Sequence, residues 1–257
     1  VLRGHGDGLP EPWWIETLAT LGCSGGDVGG DSALRVVVLT ESAESDTSES
    51  MVEVLTLAGF DEVDIQVITS PGGLSRAAEA VQEADAAVLA VDSAADAYDG
   101  RNSTSLEDAL WRLHTERGGG LGGVGEGAML LAGISLAGGA DYLSTHVMID
   151  GYTEELDDLS DGTSALKTDF LPLVPDAIVD IEMTRLGRLT RLVGAMARSA
   201  DEEPAGRVWG IGLDARAALV IQDEMAEVAG TGTVTLIRPT EASQLGRAPW
   251  APLTWTH

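Results

Sequence analysis

Short runs of β-branched and aliphatic residues alternate with amphipathic helical stretches along this chain, and that alternation constrains the fold more than any other feature. Strands buried on both faces read as unbroken apolar runs, and parallel neighbours need a crossover helix between them. Leu34 to Thr40 reads LRVVVLT, Val63 to Thr69 reads VDIQVIT, and a third apolar run spans Ala87 to Val91. Helical stretches intervene at Glu49 to Leu57 and at Leu74 to Glu83, the second entered through Pro71-Gly72-Gly73. Thr104 to Arg117 is the next predicted helix, with Ser103 as its N-cap. The Gly118 to Gly123 run leads into a fourth strand and a turn, and a helix then starts near Gly127 with Met129, Leu130 and Leu131. Ala177 to Met183 (AIVDIEM) reads as a strand and Leu186 to Arg198 as an Arg-rich helix. Val208 to Asp214, Ala217 to Gln222 and Thr233 to Ile237 read as further strands, the last pair suiting an antiparallel edge.

The pattern predicts an α/β fold, a mostly parallel sheet covered by helices. A chain of 257 residues can bury one large core. No linker composition separates the elements, so a single domain over residues 1–257 is expected. Gly151 to Thr168 is acidic and aperiodic and is expected to be a surface excursion.

Charge excludes several classes of partner. With 15 Lys+Arg against 42 Asp+Glu, the formal net charge is −27. Such a surface repels phosphate and has few cations with which to release counterions, so neither nucleic acid nor an anionic membrane is an expected partner. Lys167 is the only lysine. The acidic, Arg-over-Lys, Ala/Gly-rich composition resembles proteins of halophilic archaea, which places the expected setting in a high-salt cytoplasm, where the Debye length falls to a few ångströms. Cys23 is the only cysteine, which leaves no intrachain disulfide and no Cys-based zinc site. No apolar run reaches the roughly 18 residues of a membrane span, and Val1 to Pro10 shows no secretory signal pattern.

Three strings point further. Leu171 to Leu192 (LPLVPDAIVDIEMTRLGRLTRL) combines a Leu-Val-Pro turn, a Val-Asp strand and a Gly-Arg-Leu helix. Gly210 to Val220 (GIGLDARAALV) and, more loosely, Gly4-His5-Gly6-Asp7-Gly8 accompany it. In this order they resemble the cyanophycinase and aspartyl dipeptidase (peptidase E) family of serine peptidases, over about Arg3 to Ile237. The resemblance implies a three-layer αβα sandwich related to the class I glutamine amidotransferases, with antiparallel C-terminal edge strands, and a dimer.

It also implies where a peptidase site would lie. The family's nucleophile turn, G-x-S-x-G-A, matches Gly123-Val124-Gly125-Glu126-Gly127-Ala128 and puts Gly125 at the serine. Glycine has no oxygen with which to attack a carbonyl. The family's Asp-Gln-His-Phe string matches Asp180-Ile181-Glu182-Met183, so Glu182 stands at the general base. Gly212-Leu213-Asp214-Ala215 puts Ala215 at the third partner, and the Gly-Gly-Asp-Gln loop falls on Val91-Asp92-Ser93-Ala94. The expectation is a catalytically inactive homologue acting as a binding, structural or regulatory subunit, as a homodimer or larger assembly or beside an active paralogue. The alternatives are a divergent serine-type peptidase or a hydrolase with a remodelled carboxylate pocket. Glu126, Glu182 and Asp214 are the candidates for that pocket, able as a cluster to hold Mg²⁺ or Ca²⁺ or to share a proton. In so acidic a chain, chance proximity is the simpler expectation.

Other residues have ordinary and special readings. His5, His114, His146 and His257 are the histidines, and Ser93 and Ser135 are candidate serines outside a G-x-S-x-G context. Arg185, Arg188, Arg191 and Arg198 recur at helical spacing, as surface ion pairs or a cationic stripe. Trp13-Trp14 opens a helix and is expected to bury at least one indole, and Trp250 and Trp255 lie in a Pro-containing tail expected to dock. The Gly118 to Gly127 run lacks the Lys-[Ser/Thr] of a phosphate loop.

Overall fold

The structure, a computed structural model, describes residues 1–3, 11–22, 33–101, 104–136, 166–168, 170–202, 208–223 and 225–240. Five parallel strands make up one side of a seven-stranded sheet. These are β1 (Leu2–Arg3), β2 (Arg35–Thr40), β3 (Glu62–Val67), β4 (Ala86–Val91) and β5 (Gly120–Gly125). Two antiparallel strands, β10 (Ala217–Gln222) and β11 (Met225–Gly230), extend the sheet to give the order β11-β10-β1-β5-β4-β2-β3.

Period-two alternation builds a layer on each face. Val37 and Leu39 of β2 and Ala87, Leu89 and Val91 of β4 pack with α3 (Pro71–Glu83), α4 (Ala94–Arg101) and α5 (Ser105–Thr115). The intervening Val36, Val38, Ala86, Val88 and Ala90 pack with α1 (Pro12–Gly22) and α2 (Asp46–Leu57). Helices thus cover both faces of a mostly parallel sheet, as the αβα expectation requires. Ser45 caps α2 by accepting from Ser48 N, and Ser70 caps α3 by accepting from Gly73 N with Pro71 at the first helical position.

A second, five-stranded sheet has the order β12-β9-β8-β6-β7. It comprises β6 (Ala132–Leu136), β7 (Leu166–Lys167), β8 (Val174–Ile181), β9 (Trp209–Leu213) and β12 (Val234–Ile237). Short α6 (Glu126–Met129) joins β5 to β6, while α7 (Met183–Leu186) and α8 (Leu189–Glu202) follow β8. One hydrophobic cluster runs from Leu39 and Leu89 through Leu130 to Ile178, Leu192 and Leu213, so the two sheets share a core.

Several expectations need correction. The N-cap of α5 is Thr104, and Ser103 lies outside the described residues. The Arg-rich helix is broken, because Gly187 adopts φ 63° and ends α7 before α8 begins, and Met183 belongs to α7 rather than to the strand. Ala217–Gln222 and the strand ending at Ile237 do not pair with each other: β10 pairs β1 and β11, whereas β12 pairs β9 in the other sheet. Of the acidic excursion, Leu166–Lys167 forms a strand paired to β6, and residues 151–165 lie outside the described residues. Trp14 is buried and Trp13 half-buried, their rings 5.9 Å apart. The guanidinium of Arg3 stacks 4.5 Å from the Trp14 ring, its pKa lowered by burial. No described helix is long and apolar enough to cross a membrane.

Candidate functional site

The carboxyl ends of β2, β4, β5 and β8 define the candidate site. Strand order reverses at β2, with β3 on one side and β4 on the other, and the crevice outside such a switch point is where α/β sheets bind ligands. In this protein the crevice is spanned by Glu41, the residue after β2. Its Oε2 accepts from Asp92 N at 2.8 Å and from Ser93 N at 3.3 Å, just beyond β4. Glu126, just after β5, accepts through Oε2 from Ala94 N at 2.7 Å. Three successive backbone donors at the start of α4 are therefore taken by two internal carboxylates, which also complement the helix dipole. Ser93 Oγ accepts from Asp96 N at 3.2 Å, a capping role.

Gly125 forms the turn from β5 into α6, with φ 59° and ψ −133°. That region is open to glycine and strained for other residues, as at a nucleophile elbow. Close backbone approach explains the flanking glycines. A Cβ at Gly123 would lie 2.5 Å from Gly127 O and 2.6 Å from Ala128 Cα, and one at Gly127 would lie 2.1 Å from Leu89 O. The turn is thus fixed by close backbone packing, and no hydroxyl or thiol stands at its apex.

Glu182, the residue after β8 and the N-cap of α7, lies in the left-handed region, φ 57° and ψ 38°, a conformation that costs a non-glycine residue roughly 1–2 kcal/mol. It is only 6% exposed. Its Oε1 accepts from Arg185 Nε at 3.0 Å and lies 2.5 Å from Arg185 Nη2. Asp214, at the end of β9, accepts from Thr184 N and from Thr184 Oγ1, both at 2.6 Å, and so holds the first turn of α7. Ala215 follows it, half-buried in the turn to β10.

Each of the three candidate carboxylates has another partner. Glu126 is committed to Ala94 N, Glu182 to Arg185 and Asp214 to Thr184, and among the described residues no group of three His, Cys, Asp or Glu side chains is arranged to hold a metal ion.

The arginines also differ from expectation. Arg188 and Arg191 point inward from α7–α8 onto Asp180 of β8, a fully buried carboxylate. Asp180 Oδ2 accepts from Arg191 Nε at 2.9 Å, its Oδ1 accepts from Arg191 Nη2 and Ile181 N, and Arg188 Nη1 lies 3.8 Å away. Arg185 alone of these three is largely exposed. Burial pushes the Glu126 carboxyl above its ordinary pKa, opposed by the Ala94 hydrogen bond and by the charges of Arg188 and Arg191, while Asp180 adds to the rise. The buried ion network therefore faces the residue beside the elbow.

His114 lies at the end of α5, with Nδ1 3.4 Å from Gly119 O, away from this site. Ser135 is buried within β6. His5, His146, His257, Cys23, Trp250, Trp255 and the Gly4 to Gly8 loop lie outside the described residues.

No family model and no curated protein matches the chain. Among solved structures it is similar to the crystal structure of a peptidase from an acI-B1 Actinobacterium, with a TM-score of 0.57 and 16% sequence identity. The match covers 98% of this chain and 91% of that chain. At that identity the likeness is one of fold: this chain has the α/β architecture of a solved peptidase.

Proposed function

We propose that this protein is a non-hydrolytic relative of serine peptidases of the cyanophycinase and peptidase E type, acting as a binding, structural or regulatory subunit. Gly125 carries this reading. The elbow that would expose a nucleophile keeps its glycines and its backbone conformation, and its apex has no side chain. Two further features support it. Glu182, at the position of the base, is tied to Arg185, and the backbone donors opening α4 are held by Glu41 and Glu126. The net charge of −27 and the single lysine support a high-salt cytoplasm as its setting, with a second copy or an active relative as partner.

The test is hydrolysis of aspartyl dipeptides and β-aspartyl-arginine peptides at molar salt, together with labelling by a fluorophosphonate probe. Absence of both is expected. Turnover that survives purification to homogeneity, with a labelled serine such as Ser93 or Ser135, overturns the reading.

One observation favours a second reading, a hydrolase that uses a carboxyl as acid. Glu126 lies beside the elbow with its pKa raised by burial. Turnover abolished by Glu126→Gln, with no serine labelled, selects it.

A further inference from the structure

Arg3 is a charge in the interior of the larger sheet. β1 is paired on both sides, with Arg3 opposite Val124 of β5 and Ala218 of β10. Directly opposed residues share a face, and Val124 and Ala218 belong to the apolar cluster that packs with α1, so the Arg3 side chain leaves the sheet beneath that helix. A cation placed there calls for bonded acceptors, as buried Asp180 calls for Arg191. Among the described residues none bonds the Arg3 guanidinium, and its Nε is buried without a partner. Glu11 acts on it through space, but Glu11 Oε2 accepts from Trp13 Nε1 and Oε1 lies 2.5 Å from Arg216 Nη2. Two arginines therefore share one carboxylate, in a chain of net charge −27. Trp14, whose ring lies 4.5 Å from the guanidinium, is 2% exposed, and its Nε1 is a second buried donor with no partner. Donors orphaned in this way point to a bound water or ligand.

We infer that Arg3 anchors a small carboxylate ligand one strand away from the elbow, with Trp14 Nε1 as a second donor. Arg3 stands opposite Val124, the residue before the apex Gly125, so a ligand held there lies beside the empty nucleophile position. A carboxylate supplies the negative charge that Arg3 and Arg216 together still lack once Glu11 is counted, and its two oxygens match the guanidinium fork. Burial holds the Arg3 pKa below its ordinary value, and a bonded anion opposes that shift. The field of so acidic a chain selects a monoanion over a doubly charged phosphate, which it repels more strongly. Half-buried Trp13, its ring 5.8 Å from the guanidinium carbon, offers an apolar wall to the ligand's carbon skeleton.

This site rests on the binding role proposed above and gives it a ligand class; binding is measured apart from hydrolysis, so either reading can fail alone. The chain has six tryptophans, and Trp14→Phe identifies the indole N–H resonance of Trp14 in an NMR correlation spectrum. Sodium acetate, titrated at constant molar sodium concentration, should move that resonance saturably. Arg3→Gln should weaken the binding by at least about tenfold, and Arg3→Lys, which keeps the charge and loses the fork, by a smaller factor. Arg112→Gln, at an exposed position on α5, should leave it unchanged. Inorganic phosphate should bind more weakly than acetate, and phosphate that binds more tightly overturns the ligand class. A saturable shift that survives both Arg3 variants overturns the site. A Trp14 resonance that acetate leaves unmoved overturns the proposal and assigns the two orphaned donors to buried water.

Discussion

Replacing Asp180 by Asn tests whether the buried ion network holds the site together. The asparagine keeps the shape and can still accept from Ile181 N, but it removes a buried charge that pairs with Arg191 and faces Arg188, both of them buried. Removing one side of a buried ion pair costs about 3–5 kcal/mol, far above the median surface pair. In a chain of this length about 1 kcal/mol moves the melting temperature by roughly 2–4 °C, so a fall of about 6–20 °C is expected. Urea unfolding at fixed salt, with the slope checked for constancy, gives the same quantity as a midpoint shift. The double variant Asp180→Asn/Arg191→Met removes both ends of the bidentate pair and should recover part of the loss, giving a coupling energy well above 1 kcal/mol. Asp180→Asn also takes away a negative charge that raises the Glu126 pKa, so its cost should shrink at pH values where Glu126 is ionised and faces the two arginines. A loss below about 1 kcal/mol, or a double variant no better than the sum of the singles, would refute a tightly coupled buried pair.

Other expectations follow from the same contacts. Gly127→Ala forces a Cβ to 2.1 Å from Leu89 O, and Gly123→Ala forces one to 2.5 Å from Gly127 O, so each should cost about 1–3 kcal/mol or more in urea unfolding, as overpacking against backbone does. The raised pKa of Glu126 means that its neutral form is favoured in the folded state, so its contribution is fully present below the ordinary carboxylate pKa and is lost as pH rises through the folded value. The melting temperature of Glu126→Gln relative to the unaltered protein should therefore climb as pH is raised across the carboxylate range; a flat difference would contradict the shift. Glu41→Ala frees Asp92 N and Ser93 N, and hydrogen exchange should show those amides losing protection while β2 and β4 keep theirs. Asp214→Ala removes both bonds to Thr184 and should destabilise by about 1.5–3 kcal/mol, measured as a urea midpoint shift.

Strands buried on both faces were the plainest to read in the sequence. LRVVVLT and AAVLAV must lie between two apolar layers, and β2 and β4 do. β11 was not legible, because Met-Ala-Glu-Val-Ala-Gly has neither a strong alternation nor a β-branched run, and its pairing comes from the turn that returns β10 on itself. Helix α4 was missed for the reverse reason. Its AADAYDGR has no amphipathic face, and its start is held by Glu41 and Glu126 from other strands, a long-range contact that no local window contains. The elbow could be read from its glycines. The arginines could be read as a periodic set but not as inward-facing, since spacing gives a face of a helix and not its depth. One signal was available: Asp180 sits within the apolar run AIVDI, and a carboxylate buried in a strand requires a cation.

The elbow glycines have one more implication. Gly123 and Gly127 are required by the distance between the backbones of β5, α6 and β4, a demand that persists whatever residue stands between them. A chain could therefore lose its nucleophile and go on displaying the glycine frame around it, because folding rather than chemistry enforces the frame. Searching genomes by that frame alone will gather enzymes and non-enzymes together, and only the residue at the apex sorts them.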